Sequence, residues 1–260
     1  MTRQPALFLS HGSPMTAIDA GELGQCWQAL AGRLMPPDAI VMVSAHWMTG
    51  IPMLSGTSNP ETVHDFYGFP AELYQLRYPA PGAPELAQEI KSLLSDQGIA
   101  AAVDPRRGLD HGAWVPLRTL FPEAQVPVLQ LSVQPDLGAR HHWAVGRALA
   151  PLSARNVLVV GSGHMTHNLR DYFVDHGRAA PQTRLFRDWA HRQLLDGRID
   201  AILEWQHEGP HAAAAHPTPE HFLPLFVALG AAGDGAEIEA LGGGTLGGAL
   251  AADNYLFAPA

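Results

Sequence analysis

The sequence is poor in cysteine, in lysine and in long apolar runs. Cys26 is its single cysteine, so the chain can form no internal disulfide and no cysteine-rich zinc site. One thiol without a partner is typical of a cytoplasmic protein, and we expect that location. The apolar run at residues 6–9 is too short for a secretory signal. No stretch approaches the ~18 apolar residues of a membrane span.

Basic charge is scarce as well. The formal net charge is −9, and the 16 basic residues comprise 15 arginines and one lysine. An acidic chain is unsuited to binding nucleic acid by general neutralisation of phosphates, so we expect no nucleic-acid partner. Histidine, in contrast, occurs 14 times. The question is whether these side chains are ligands or a scatter.

The length and the hydrophobic pattern predict one α/β domain over residues 1–260. Buried strands are predicted at 5–10, 39–44, 126–133 and 156–161, with weaker candidates at 51–55 and 99–103. Helices are predicted at 84–97, 139–152, 183–195 and 219–230. We expect a polar loop at 204–217 and a terminal strand or hairpin at 237–257. This alternation favours a largely parallel central sheet flanked by helices, with the active site at the carboxyl ends of the strands.

Two motifs match known signatures in their letters alone. His207-Glu208-Gly209-Pro210-His211 has the letters of the zinc-protease pattern, but Gly-Pro at its centre argues against the helix that this pattern needs. The glycine-rich run at 242–247 has the letters of a dinucleotide fingerprint. Too few residues follow it to supply the helix, second strand and acidic residue of that site. We interpret the first as a polar loop and the second as a glycine-rich turn.

Several histidines lie directly after predicted strands. His11 follows the first strand, His46 follows the second, and His164 and His167 follow the strand at 156–161. The carboxyl ends of parallel strands meet at one edge of the sheet, so these imidazoles are expected to lie close together. His221, in the first turn of a predicted helix, is a further candidate. A histidine-rich site without cysteine suits Fe(II), Zn(II) or Mn(II).

Other histidines are less informative. His111, between Asp110 and Gly112, could act as an acid or base or belong to a polar turn before a helix. His64 begins an aromatic loop at 64–70, which could cover a planar ligand or simply pack at the surface. We expect the remaining seven to be structural or solvated: His141, His142, His176, His191, His207, His211 and His216.

The combination of motifs resembles a known family. The segments that carry the resemblance are His11-Gly12-Ser13-Pro14-Met15, Ser44-Ala45-His46-Trp47, His64-Asp65-Phe66-Tyr67-Gly68-Phe69-Pro70, Tyr78-Pro79-Ala80-Pro81-Gly82, Asp110-His111-Gly112-Ala113-Trp114, His167-Asn168-Leu169 and Pro217-Thr218-Pro219-Glu220-His221-Phe222-Leu223-Pro224. In this order they resemble the DOPA 4,5-dioxygenase group of the class III extradiol ring-cleavage dioxygenases, of the LigB-type superfamily. The resemblance covers residues 6 to about 225.

The resemblance implies a non-haem metal site and a set of roles. By position, His11, His46 and His221 match the metal ligands of the family. His167 matches an acid/base catalyst or a fourth ligand, and His111 matches a histidine that contacts substrate and assists proton transfer. Ser13 and Tyr67 are expected to contact substrate. Better-known superfamily members use two histidines and a carboxylate, whereas this chain has a third histidine, so either Fe(II) or Zn(II) is expected, one per chain.

The implied function is extradiol cleavage of a catechol with O₂. Its expected partners are therefore a small aromatic diol and O₂, with no membrane and no nucleic acid, and no motif indicates an oligomeric state. Two alternatives stay open on the residues alone: a zinc-dependent hydrolase on the same scaffold, and a non-catalytic metal- or ligand-binding relative. Candidate partners for a substrate carboxylate are Arg77, Arg106, Arg107 and Arg170.

Overall fold

One eight-stranded sheet organises the chain. The computed structural model describes residues 3–174, 181–247 and 250–260. Its strands are β1 (Ala6–Ser10), β2 (Ala39–Met48), β3 (Met53–Ser55), β4 (Ala102–Asp104), β5 (Val128–Val133), β6 (Val157–Gly163), β7 (Glu237–Gly242), β8 (Thr245–Leu246), β9 (Leu250–Ala251) and β10 (Asn254–Ala258). The order in the large sheet is β4-β3-β5-β2-β6-β1-β10-β7, and β8 pairs with β9 separately.

The centre of the sheet is parallel, as predicted. Strands β5, β2, β6 and β1 run in one direction, and β10 and β3 pair antiparallel to either side of them. The terminal hairpin prediction agrees with the antiparallel pairing of β10 with β7. The α/β fold with a mostly parallel sheet is therefore confirmed.

One strand boundary corrects the expectation for His46. This residue lies on β2, not after it, because β2 continues to Met48. The register of β2 against β5 shifts between Val43 and Met48, and pairing resumes at Val133. With this irregularity, the extended backbone continues past residue 44, the predicted end of the strand. His46 therefore lies within the last three residues of β2.

Helices cover both faces of the sheet. They are α1 (Gly21–Ala31), α2 (Pro84–Asp96), α3 (His111–Leu120), α4 (Gly138–Leu149), α5 (Leu169–Val174), α6 (Pro181–Leu195), α7 (Ile199–Leu203), α8 (Trp205–Glu208), α9 (Ala212–Ala215) and α10 (Leu223–Ala231). Short 3₁₀ turns occur at Pro14–Ala17, Ala71–Gln75, Pro135–Leu137 and Ala150–Arg155. None of the helices in the described ranges is long and apolar enough to cross a membrane.

Two helix predictions were wrong in detail. The helix predicted at 219–230 begins at Leu223, and His221 lies in the turn before it, where Phe222 N–H donates to the Pro219 carbonyl. Pro224, not Pro219, occupies the first turn, which is the position that proline favours. The polar loop predicted at 204–217 contains α8 and α9, because its apolar side chains are buried. Helix α9 contacts α6, and Trp205 packs against Phe186 and Phe222.

The alternation of side chains along β2 divides the core into two layers. Val41 and Val43 pack with α2, α4, α6 and α10 on one face, whereas Ile40 and Met42 pack with α1 and α3 on the other. Helix α10 is buried along its whole length because nearly every one of its residues is apolar. It is the element that fixes the segment carrying His221.

Glycines of β6 let that segment lie directly on the sheet. A Cβ at Gly163 would lie 2.0 Å from the His221 carbonyl oxygen, and one at Gly161 would lie 2.2 Å from the Pro224 carbonyl oxygen. The amide of His164 also donates to the His221 carbonyl at 2.8 Å. Only glycine permits this approach, so the backbone of β6 sets the position of His221.

Candidate active site

Six imidazoles meet at the edge of the sheet where β1, β2 and β6 end. The ring of His11 lies with its centroid 4.9 Å from that of His46, and 5.0 to 5.5 Å from three others. The expectation that strand ends gather the histidines therefore agrees with the structure. The six are His11, His46, His111, His164, His167 and His221.

Three of these histidines form a group that could hold a metal ion. One ring nitrogen from each of His11, His46 and His221 lies within 4.8 Å of the other two. The Nε2 atoms of His11 and His46 are 3.0 Å apart. The Nε2 atom of His221 is buried and has no hydrogen-bond partner among the described residues. A buried unpaired nitrogen is costly unless a ligand satisfies it.

Hydrogen bonds fix the tautomers of two members of this group. The Ser162 hydroxyl donates its proton to the Gly112 carbonyl, so its oxygen must accept from Nδ1–H of His11 at 3.1 Å. A carboxylate oxygen of Glu220 accepts from Nδ1–H of His221 at 2.9 Å. In both rings, Nε2 therefore carries the free lone pair. This is the arrangement in which a second hydrogen bond orients a metal-binding imidazole.

Burial keeps this group uncharged. It lowers the pKa of His11 and of His221 well below the usual range, and neighbouring histidines lower both further. Burial is also the main cause that lowers the pKa of His46 to about 4, although Asp110 and Asp65 oppose it. Three neutral imidazoles with converging lone pairs suit a divalent cation, which the site binds without first losing protons. The donor set therefore fits a metal.

His111 is held beside the group by an acidic partner. The Asp65 carboxylate accepts from the His111 backbone N–H at 2.9 Å and from its Nδ1–H at 3.0 Å. Burial raises the pKa of Asp65, but the hydrogen bonds and charge of His111 outweigh it and lower the value to about 2. The ring centroids of His111 and His46 are 3.9 Å apart. Gly112 permits this approach, since a Cβ there would lie 2.4 Å from the Ser44 hydroxyl oxygen.

His167 lies against His221 instead of joining the three-histidine group. Its amide donates to the Ala215 carbonyl at 2.9 Å, which ties the turn after β6 to α9. Burial, followed by the nearby histidines, lowers the pKa of His167 to about 2. A second group that could hold an ion brings His167 together with Glu220 and His221, so the two groups share His221.

His164 supports the turn that follows β1. Its Nε2 atom lies 3.0 Å from the Gly12 carbonyl oxygen and 3.1 Å from the Gly12 amide nitrogen. Gly12 has φ +78°, a left-handed conformation that glycine adopts without strain. His164 thereby fixes the start of the segment that carries Ser13.

A buried polar network under the site joins β2, β5 and α3. Asp110 caps α3, accepting from the Ala113 amide, and also accepts from Ser44 at 2.6 Å, Arg107 at 2.6 Å and Gln130 at 2.7 Å. The chain neighbours Asp110 and His111 thus have different roles, since Asp110 faces the core and His111 faces the cavity. The guanidinium of Arg107 binds Asp110 in this network and also packs on Trp47. Its central carbon lies 4.9 Å from the centroid of the Trp47 ring.

A cavity of about 700 Å³ opens above the histidines. Aromatic side chains form much of its wall: Phe66, Phe69, Tyr172 and Phe173. Ser13 lines the cavity, as predicted for a substrate contact, together with His11, His46, His111, His167 and His221. Tyr67 does not, because its side chain is 91% exposed and points away from the wall that Phe66 and Phe69 form. Tyr67 is therefore not among the residues of the candidate site.

Those of the histidines expected to be structural that the structure describes lie outside this cavity. His142 is buried between the Gln134 amide and the Gly138 carbonyl, and His191 lies 3.0 Å from the Tyr255 hydroxyl. His216 was expected in a polar loop but is buried among Phe186, Trp205 and Phe222. His207 and His211 do not share one helix, because α8 ends before Gly209. His176 lies outside the described residues.

Sequence reasoning missed the residues that orient the imidazoles. In the sequence, Asp65 stands out only as part of the aromatic loop at 64–70, and Glu220 only as part of the motif that contains His221. His221 lies in a turn, so Glu220 can bond to its ring. A carboxylate next to a candidate histidine was the available signal for Glu220, whereas Asp65 and His111 are too far apart in sequence for any local signal.

Fold and site together define a class: an α/β protein with three histidines that could hold a metal ion, further histidines beside them and an aromatic-walled cavity at the sheet edge. Residues 5–243 match the family described as the catalytic LigB subunit of aromatic ring-opening dioxygenase. The chain is 42% identical over 255 residues to 4,5-DOPA dioxygenase extradiol of Beta vulgaris, a match covering 96% of this chain and 95% of the relative. It is 40% identical over 244 residues to the Escherichia coli K12 protein of the same name, covering 88% and 86%.

A solved structure agrees with these matches. The crystal structure of an uncharacterized protein from Escherichia coli K12 superposes with a TM-score of 0.81 at 32% identity, over 98% of this chain and 99% of the other. The chain belongs to the LigB family of aromatic ring-opening dioxygenases. It is an extradiol-type ring-opening dioxygenase with a metal cofactor, which confirms the interpretation of the motifs over the hydrolase and the non-catalytic alternatives.

Proposed function

We propose that the protein cleaves the ring of a DOPA-like catechol with O₂, at the 4,5 position. The names of the relatives from Beta vulgaris and Escherichia coli support this substrate and this regiochemistry. The cavity supports it as well, because its volume and its aromatic walls suit one planar ring with a short side chain. We propose that residues 1–260 act as one catalytic domain.

The observation that carries this proposal is the shared cavity. The three-histidine group lies at its floor, and His111 and His167 line the same space. We assign His11, His46 and His221 as the metal ligands on the basis of their converging nitrogens and of the fixed tautomers of His11 and His221.

We propose Fe(II) as the native ion. Zn(II) suits an all-histidine donor set equally well, but it has no redox chemistry. When bound, a redox-active ion supplies the electron transfer that lets a catechol react with O₂. One ion per chain is expected, because the other two groups of described residues that could hold an ion each share a histidine, His46 or His221, with the three-histidine group.

His167 is assigned as the base that takes a proton from a catechol hydroxyl. Burial keeps its ring neutral, and it lies on the cavity wall beside His221. A base must lie within hydrogen-bond reach of the substrate hydroxyl, and His167 lines the same cavity as the three-histidine group. The acid that returns the proton is assigned to His111 or again to His167.

His111 is oriented for this second role. Its Nδ1–H donates to Asp65, which leaves Nε2 as the atom that can accept or return a proton at the cavity. The aromatic walls hold the catechol ring in place and exclude water from its faces. Ser13 is assigned as a polar contact to the substrate.

The test is oxygen uptake by metal-loaded protein. The chain is loaded anaerobically with Fe(II) or Zn(II), and its metal content is measured before DOPA and O₂ are added. We expect one O₂ consumed per DOPA and a yellow ring-opened product with iron, and neither with zinc. Mass and NMR spectra of the product distinguish 4,5 from 2,3 cleavage. Protein with one iron per chain that consumes no O₂ with DOPA, dopamine or 4-methylcatechol contradicts the proposal.

A further inference from the structure

Among the described residues that line the cavity, acidic and basic side chains are not balanced. Besides its imidazoles, the lining includes one charged side chain, that of Asp19, and within the described ranges no lysine or arginine contributes to it. None of the four arginines considered as carboxylate partners lines the cavity, and two of them bind other groups. Arg77 donates to the Tyr74 and Leu76 carbonyls, and Arg107 donates to Asp110. A negatively charged side chain on a substrate therefore meets no lysine or arginine among the described residues that line this cavity.

Asp19 lies where the cavity meets solvent. The histidines at the floor are buried, whereas Asp19 is exposed and follows the 3₁₀ turn Pro14–Ala17, whose residues also line the wall. Its amide donates to the Met15 carbonyl at 2.9 Å, which fixes its backbone. In the part of the chain that the structure describes, no side chain donates to its carboxylate. The carboxylate is thus available to a ligand.

The aromatic lining favours the same kind of ligand. Tyr172 and Phe173, whose ring centroids are 5.1 Å apart, line the cavity together with Phe66 and Phe69. Ring faces attract cations and repel anions. A carboxylate and several aromatic rings around one opening therefore favour a side chain that ends in an ammonium group over one that ends in a carboxylate.

We infer that Asp19 is a specificity-determining residue that binds the ammonium group on the side chain of the substrate, and that the enzyme selects amine-bearing catechols over catechol acids that lack the amine. The inference rests on the proposed catechol cleavage and names the substrate class more closely. The ammonium donates hydrogen bonds to the Asp19 carboxylate at the mouth while the catechol ring reaches the histidines at the floor.

A matched pair of substrates tests this inference. DOPA and 3-(3,4-dihydroxyphenyl)propionate differ only in the amine, and 4-methylcatechol carries no charge. The values of kcat/KM are measured for all three with the iron-loaded wild type, Asp19→Asn and the control Asp38→Asn. Asp38 is an exposed aspartate that precedes β2, at the opposite end of the strand from the cavity. The two variants remove the same charge.

We expect Asp19→Asn to lower the preference for DOPA over the amine-free acid about fivefold, the size expected for one exposed ion pair. The variant should leave 4-methylcatechol unchanged, and Asp38→Asn should change none of the three. High salt should shrink the wild-type preference, because it screens charges at the mouth. An unchanged preference in Asp19→Asn, or an equal loss for all three substrates, overturns the inference.

Anaerobic calorimetry separates this inference from the proposed function. DOPA and the amine-free acid are titrated into the wild type and into Asp19→Asn without O₂, which measures the affinity of each compound in the absence of turnover. If no catechol is cleaved, the proposed function fails while the affinity ratio still tests Asp19. If DOPA is cleaved and Asp19→Asn binds both compounds in the wild-type ratio, the inference fails and the proposed function stands.

Discussion

The ring of His167 stacks on the ring of His221, with centroids 3.4 Å apart and planes within 10° of each other. A proton on His167 would place a positive charge directly against the imidazole that we assign to the metal. Desolvation by burial and the neighbouring histidines hold His167 in the neutral form for the same electrostatic reason. The stacking therefore favours the neutral form of His167, and the role assigned to this ring in proton transfer is separate from the role assigned to His221 as a ligand.

The first prediction concerns this separation. His167→Gln should retain one metal per chain and lower kcat by about 10² to 10⁴, the contribution of a positioned acid or base. Metal content and O₂ uptake are measured on the same sample. Loss of the metal in this variant would show that His167 is a ligand, because removal of a base alone leaves the three-histidine group intact.

The second prediction concerns the ligands. His46→Ala should abolish stoichiometric metal binding, because the remaining pair of imidazoles leaves the ion underligated. Added Fe(II) or Zn(II) should raise the Tm of the wild type but not that of the variant. His141→Ala is the matched control, since this half-buried histidine lies on α4, away from the cavity. Equal metal-dependent shifts in Tm for wild type and His46→Ala would remove His46 from the ligand set.

The third prediction concerns the carboxylate behind His221. Glu220→Gln should lower metal affinity about 10- to 100-fold, because the loss of a carboxylate that orients a ligating imidazole has this effect. Thr218→Ala is the control, since the Thr218 hydroxyl donates to Glu220 but does not touch His221. Competition with a chelator measures both affinities. Unchanged affinity in Glu220→Gln would show that the hydrogen bond to Nδ1 does not tune the site.

The fourth prediction concerns stability against pH. Burial lowers the pKa of His142 to about 4, and its ring accepts from the Gln134 amide while donating to the Gly138 carbonyl. The folded protein therefore binds fewer protons here than the unfolded chain does. The stabilisation is complete above about pH 6.5, the ordinary pKa of histidine, and is lost as pH falls toward 4, by about 3 kcal/mol in total.

The variant His142→Gln isolates the contribution of this histidine to the pH dependence of stability. The free energy of unfolding of metal-free protein, from urea titrations between pH 7 and 4.5, should fall less steeply with acid in His142→Gln than in the wild type. His207→Gln, with a side chain that is 85% exposed, should follow the wild-type slope. Parallel slopes for wild type and His142→Gln would be inconsistent with a buried neutral imidazole at this position.

Local patterns were enough to predict the centre of the fold and the position of most site histidines. The apolar runs of β1, β2, β5 and β6 are bounded by polar residues and glycine. The existence of these strands and their largely parallel arrangement therefore follow from the sequence. His11 was therefore placed correctly at the end of β1. Helix α1 was missed although Leu23, Trp27 and Leu30 have helical spacing.

Other features depend on contacts between distant segments. The hydrogen bonds from His111 to Asp65 join two loops 46 residues apart, and no periodicity encodes such a pairing. The extension of β2 that carries His46 depends on its irregular register with β5. The absence of Tyr67 from the cavity depends on which aromatic residue of its loop turns inward, and neighbouring Phe66 does so.

The glycines of β6 have a wider consequence. Gly161 and Gly163 bring strand backbone against the backbone at Pro224 and His221, so the third candidate ligand is positioned without help from the loops that shape the cavity mouth. Ser13, Asp19 and the aromatic walls lie on separate segments. The scaffold is therefore modular. Residues at the cavity mouth can be exchanged to suit a different substrate side chain, while the sheet keeps the geometry of the histidines at the cavity floor unchanged.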